Sequence, residues 1–491
     1  MSEKIQSLYE RIQQALQADG SLPEDFSLRP VPENGVRFAD GAMDGTVRYH
    51  FGPTKEPDIS ALCRVLTLVS AGKFDEASQA LLTHFSTGAI MLPLIDALQN
   101  WVFDHPEELS PEQLGRFSQA VLQQSPDIES VKFALTILEI LDNDLTEEFC
   151  QIIETLAVSE EFTLYCLFVI ARWPNAMQVI FRLAQQLHGW GRIHAVSFLK
   201  PETEAMQQWM LQDGWKNYIL SDYSAMTCIK RGKLLPLLQK EDISRQAFED
   251  AQALISCTLS EGPVPGLKKY KKAMELLQVY IRQAAKQAAA VEDYSSIYDV
   301  RAFLQDSDLP GREELTEMCT ELLASDACRE ITHQAVQEGH GLYFAKTMGM
   351  DYAEAAWMSL QRDFAMNYGL VDLLLPEKLH VDEILELFMD RLPLEDMASG
   401  PENELGFGEE FKDYGILSYI VQNLQYLPGK GERLLLAALD APVIGCRNVA
   451  LNTLESWRKA DYPFAASIQE CLAKLREIEP DEKTKKRLQS F

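Results

Sequence analysis

The sequence predicts an all-α protein: an α-solenoid of stacked helical hairpins, preceded by a short N-terminal helix and a small β-hairpin. Three observations carry this prediction. From about Ile59 onward, apolar residues recur at helical spacing in one segment after another, separated by short breaks containing Pro, Gly or Asp. No segment beyond that point alternates apolar and polar residues as a half-buried strand does. A third sign is a phrase of one small and several aliphatic residues that returns in distant parts of the chain.

In chain order, Ile5, Leu8, Ile12 and Leu16, with Ala15 beside them, space out an amphipathic helix. The stretch SLPEDFSLRPVPENG carries three prolines and reads as an extended linker. Val36 to Phe38 and Thr46 to Phe51 flank ADGAMDG, whose two Asp-Gly pairs favour tight turns, so a β-hairpin is expected there. Residues 1–58 form this N-terminal segment, and residues 59–260 a first helical half. The Pro- and Gly-containing joint Ser256 to Tyr270 leads into a second half, 261–394. The acidic, glycine-rich loop Glu395 to Gly415 then opens a last unit, 395–491, which ends in the charged tail DEKTKKRLQS.

The recurring phrase is Val131-x-x-Ala134-Leu135-x-x-Leu138, then Arg192-x-x-Ala195-Val196-x-x-Leu199, then Arg447-x-x-Ala450-Leu451-x-x-Leu454. The small residue lets two helices approach closely, and the aliphatic ones fill the groove between pairs. The pattern resembles HEAT repeats, stacked helical hairpins of about 40 residues. Gly72-Lys73-Phe74-Asp75-Glu76-Ala77 is similar to the turn phrase of tetratricopeptide hairpins.

Composition narrows function. Against 45 Lys and Arg stand 74 Asp and Glu, a formal charge of −29, which argues against nucleic acid or an anionic membrane as main partner. No apolar run reaches the 18 or more residues of a membrane span; the nearest, Phe162 to Ala171, reads as a buried core helix. The start of the chain lacks the cationic and apolar regions of a signal peptide. Nine scattered cysteines without a C-x-x-C fit reduced core thiols, so a cytoplasmic location is expected.

No cofactor is evident. Gly429-Lys430-Gly431 lacks the spacing of a phosphate loop, and Gly189-Trp190-Gly191 lacks the third glycine and the preceding strand of a dinucleotide fingerprint. Glu330 with His333, and Glu377 with His380, have the Glu-x-x-His spacing of di-iron bundles, but both pairs read as solvated helix faces and no metal is assigned. Lys268, Lys269, Lys271 and Lys272 surround Tyr270, with Lys230, Arg231 and Lys233 as further cations. RNA or phosphate binding would need those further cations nearby; a solvated first helical turn is the simplest reading, and an acidic protein the simplest partner for it. Met348, Met350, Met358 and Met366 read as core packing, with Met358 and Met366 on one helix face. The most individual stretch is His188 to Gly214. There Trp190, Arg192 and His194 crowd the start of a helix, either as an inter-repeat corner with Arg192 bonding carbonyls or as a recognition corner.

That stretch reads G-W-G-R-I-H-x-V, then L-x-P-x-T and W-x-L-x-x-G, over Gly189 to Gly214. Together with FADGAMDG it resembles a family of bacterial, Firmicute-type proteins labelled limonene hydroxylase. The resemblance implies an NAD(P)H-dependent monooxygenase, an oxidoreductase turning a monoterpene into carveol or perillyl alcohol. It carries over no catalytic or cofactor-binding residue, because no motif of the family is tied to the chemistry. From the residues themselves the expected function is a protein-binding scaffold; limonene hydroxylation, with a hydrophobic small molecule as ligand, is the alternative.

Overall fold

The computed structural model describes residues 6–30, 37–51, 57–141 and 146–491. Every regular element among them is helical; the one β-type contact is an isolated parallel bridge between Glu404 and Val443. The chain divides into two compact units, Met1–Ala288 with Ser296–Thr320, and Ala289–Ser295 with Glu321–Phe491. The Ser256 to Tyr270 joint therefore lies inside the first unit.

In the first unit, helices pair with a chain neighbour and also pack on one further along. Ser60–Ser70 lies on Phe74–Phe85 and on Pro111–Gln124. Ile128–Ile140 packs on Pro111–Gln124 and on Thr163–Ile170, which meets Trp190–Phe198; that helix meets Asp222–Arg231, and that one Arg245–Ser256. Gly72 turns the first hairpin and Ala77 is fully buried in it. Thr163–Ile170 is buried at every position except Phe168, as its unbroken apolar run requires.

The second unit uses the same device. Lys412–Asn423 and Glu432–Leu439 both pack on Ile444–Lys459, and Ala466–Ile478 covers Glu432–Leu439. All positions of the three recurring phrases are buried, from Val131 and Ala134 through Ala195 and Leu199 to Ala450 and Leu454. Arg192 and Arg447 occupy the same place in their phrases and do the same thing. Each reaches back five residues to a carbonyl, Leu187 at 3.3 Å and Pro442 at 2.9 Å. Each also pairs with a later carboxylate, Asp213 or Glu479.

Two expectations need correction, for the β-hairpin and the charged tail, and a third feature gains detail. The β-hairpin is absent: Ala42–His50 is a helix that takes in most of ADGAMDG, while Val36 lies outside the described residues, as does Ile5 of the first helix. A helix wins because that segment buries Asp44 and Gly45 against the unit's interior, which a two-stranded ribbon would leave in water. The acidic loop lies mostly at the surface and is fastened there at three points. Ile444 donates to the Glu404 carbonyl at 3.0 Å, Gly400 to that of Asp440 at 2.8 Å, and the Arg447 guanidinium to that of Glu402 at 2.8 Å. The charged tail forms a helix, Glu482–Leu488, that buries Thr484 and Leu488 and is capped by Asp481.

Candidate functional site

The two segments that carry the family resemblance pack against each other. The Trp190 ring lies against Ala42–His50 where Gly45 has no side chain; a Cβ there would overlap the indole. At Gly41, φ is +75°, and a Cβ would stand 2.6 Å from the Glu160 carbonyl oxygen. The glycines of ADGAMDG thus permit a close approach of two helices instead of a turn between strands.

Behind this contact is an aromatic layer. Tyr49 stacks on Trp190 at 6.1 Å and on His194 at 6.2 Å between ring centroids, and Tyr223 lies 5.0 Å from both Tyr49 and Trp190. Neither ring nitrogen of His194 has a hydrogen-bonding partner among the described residues. Burial, with the nearby Arg48 charge, pushes its pKa down to about 3, so the imidazole is neutral. Arg192 is held by the Leu187 carbonyl, by the Asp213 carbonyl and carboxylate, and over the Trp209 ring at 5.2 Å. Trp190 and Arg192 are each 5% exposed and His194 1%. Of the two readings left open for these three residues, the structure has the features of the packing corner: the helix turns its starting face inward onto Ala42–His50, and Arg192 bonds carbonyls.

The surface feature lies immediately before it. Glu160 and Glu161 sit in the turn between Glu147–Ala157 and Thr163–Ile170 and face opposite ways. The Glu160 carboxylate accepts the backbone N–H groups of Gly189 and, at 3.1 Å, His188, and so caps the helix that Trp190 begins. It also lines a cleft of about 320 Å³, together with Asp40, Glu24, Arg37, His188 and Tyr218. Burial pushes the Glu160 carboxyl above its ordinary pKa, against the opposing pull of those N–H groups. Burial raises Asp40 as well, against a hydrogen bond from Ser27 Oγ at 2.5 Å. His188 stacks on Tyr218 at 5.2 Å. In the cleft wall, Tyr218 is among the most exposed aromatic side chains of the described residues, at 72%.

Glu161 points the other way, into a buried ion cluster that anchors the cleft wall. The Lys132 ammonium is fully buried and lies 2.7 Å from Asp44, 2.9 Å from Glu129 and 3.3 Å from Glu161. Arg29 reaches Glu161 through both Nε and a terminal nitrogen, the latter at 2.9 Å, and the Gly41 N–H donates to Glu161 at 3.2 Å. The Tyr165 hydroxyl donates to Asp44 at 3.1 Å, and the Met91 N–H to Glu129 at 2.7 Å. Burial opposes the Lys132 charge, but three carboxylates outweigh it and hold its pKa well above the ordinary lysine value. Burial likewise opposes ionisation of Glu161, and Arg29 and Lys132 outweigh that to hold it below the ordinary value. Burial prevails at Glu129, which is raised.

Sequence reasoning missed Asp40, Glu160 and this cluster. The available signals were Lys132 inside the apolar run SVKFALTIL and the paired glutamates before FTLYCLFVIA. The Asp-Gly pairs drew attention to their turn chemistry and away from their carboxylates.

Other candidates stay apart. Glu330 and His333 are exposed, with His333 bonded to Gln337. Glu377 pairs with Lys346 at 3.4 Å, while His380 lies 3.5 Å from Glu354 and stacks on Trp357. Among the described residues no three His, Cys, Asp or Glu side chains are grouped as a metal site would need. Met358 and Met366 belong to different helices, Ala353–Arg362 and Phe364–Asn367, and both are exposed. All nine cysteines are free, and no described helix is long and apolar enough to cross a membrane. The Gly189-Trp190-Gly191 turn does not fit a dinucleotide, because the N–H groups of Gly189 and His188 are already given to Glu160. Compared with family models, with curated proteins and with solved structures, the chain matches none.

Proposed function

We propose that the protein is an α-helical repeat scaffold that docks a protein partner, and that the cleft over Asp40 and Glu160 receives a lysine or arginine side chain of that partner. The supporting observation is the cleft: two carboxylates raised by burial line it, together with the exposed ring of Tyr218. Burial that raises an acid's pKa makes its charged form costly, and an arriving cation offsets that cost, so the wall favours an ammonium or guanidinium group. The exposed ring of Tyr218 adds apolar area and a cation–π face in the same cleft. Stacked helical hairpins, an α-solenoid, are the architecture this reading uses. Packing of helices on others further along the chain in both units supports it.

The test is selection of short displayed peptides on the intact protein. Binders are expected to share a Lys or Arg, and Asp40→Asn is expected to weaken them about tenfold or more. Binders without a cation, or indifferent to Asp40→Asn and to Tyr218→Ala, would remove the cleft from this role. Formation of carveol or perillyl alcohol from limonene with NAD(P)H and oxygen would replace the scaffold by the hydroxylase.

A further inference from the structure

A second cleft, of about 520 Å³, has the opposite chemistry. It is lined by Lys230, Lys233, Lys269, Lys271 and Lys272, with Tyr270 among them. Two separate segments supply these cations. Lys230 ends Asp222–Arg231 and Lys233 follows it, whereas Lys269 to Lys272 lead into Ala273–Gln287. In a chain of net charge −29, five lysines meet here with no carboxylate in the wall. None of the five forms an ion pair among the described residues; the contact recorded is Lys230 over the Tyr270 ring at 5.5 Å. Their neighbours are differently engaged. Lys268 pairs with Asp306 at 3.0 Å, and Arg231 donates to the Ser197 and Leu199 carbonyls at 2.8 and 2.6 Å. Glu275, the acid in the first turn of Ala273–Gln287, accepts from Gln239 at 2.9 Å.

Two further features favour an anion. The 15-residue helix Ala273–Gln287 starts at the cleft with Lys272 as its N-cap and no side-chain oxygen capping it, so its positive end faces the same space. Lys233, which lines the cleft, holds φ +60°, a backbone region that residues other than Gly and Asn rarely adopt. Gathering five like charges costs energy that a multivalent anion relieves. The floor is apolar, with Ile229 and Leu235 buried beneath.

We propose that this cleft binds a compact polyphosphate group carried by a small molecule. The volume lies within the range of small-molecule sites. Lysines act as point charges suited to phosphate oxygens, whereas planar carboxylates are better met by the arginine fork, which the wall lacks. A nucleic acid needs a basic stripe along its backbone, and this patch is confined to one cleft.

The test is titration calorimetry on the full chain with inorganic tripolyphosphate, ATP, AMP and a decaglutamate peptide. Saturable one-to-one binding of tripolyphosphate or ATP is expected, weakening steeply as salt rises. Tighter binding of ATP assigns a nucleotide, and equal binding assigns the bare polyphosphate. The doubles Lys230→Gln/Lys233→Gln and Lys271→Gln/Lys272→Gln replace exposed side chains and leave the fold intact. Each is expected to weaken binding about tenfold, while Lys73→Gln, away from the cleft, changes nothing. The proposal fails if neither tripolyphosphate nor ATP saturates at about 0.15 M salt. It fails equally if the doubles bind like the parent, or if decaglutamate binds as tightly as tripolyphosphate and is lost in the same doubles, since the cleft would then be a dock for acidic protein.

Discussion

His194 has its ring in the aromatic layer and no partner for either nitrogen among the described residues. It is neutral inside, with a pKa near 3, and takes a proton near its ordinary value of about 6.5 when unfolded. Protonation therefore favours the unfolded chain. The stability linked to this residue is present above about pH 6.5 and is lost as the pH falls toward 3, at up to about 1.4 kcal/mol per unit. His194→Leu removes that proton uptake, so urea titrations between pH 7 and pH 4 should show a shallower decline in the variant. Equal slopes would mean that the imidazole is not held neutral. Charges on Arg48 and the hydroxyls of Tyr49 and Tyr223 surround the site and are common to both proteins. Nothing in the local sequence R-I-H-A-V announces a neutral histidine, because its state depends on rings from two other helices.

At the scale of elements, the contact between Ala42–His50 and Trp190–Phe198 decides how the cleft is built. Gly45→Ala places a methyl group inside the Trp190 indole, so one helix must shift. The expected cost is about 1–3 kcal/mol, as for overpacking in a core, with a loss of cleft geometry. Melting should report the first, and binding of a selected cationic peptide the second. Unchanged stability would show that the helices are not in close contact. Helical patterning was readable here in part: the crowded start at Trp190, Arg192 and His194 marks a helix, and Trp190–Phe198 is one. The helix Ala42–His50 was not readable, since two Asp-Gly pairs favour turns locally and only packing against a distant tryptophan reverses that preference. The tail helix Glu482–Leu488 escaped for a similar reason. Its charges mask two buried positions that matter only once Ile444–Lys459 stands beside them.

At the scale of the molecule, each unit holds a buried ionic core: the fully buried Lys132 with three carboxylates in the first, and Arg447 with Glu479, both fully buried, in the second. Removing one partner leaves unpaired charge in a low-dielectric interior, at about 3–5 kcal/mol. Lys132→Met is expected to lower amide-exchange protection most within Met1–Ala288, and Arg447→Met most within Glu321–Phe491. Protection lost evenly along the chain in either variant would contradict the division into two units. The deficit of Lys132→Met should shrink as the pH falls toward about 5, because Glu129 and Glu161, which the Lys132 charge pulls toward ionisation, then take up protons more readily than in the parent. The amino-acid sequence by itself determined that the chain is helical, where its phrases recur and which of their positions are buried, since helical periodicity and burial are local in pattern. It also determined that a chain of −29 carries few concentrated cations. Tertiary structure alone decided that Trp190, Arg192 and His194 face inward, that Asp40 and Glu160 share a cleft, and that two lysine segments converge on another. Residues far apart in the chain build each of these, and only packing brings their charges together.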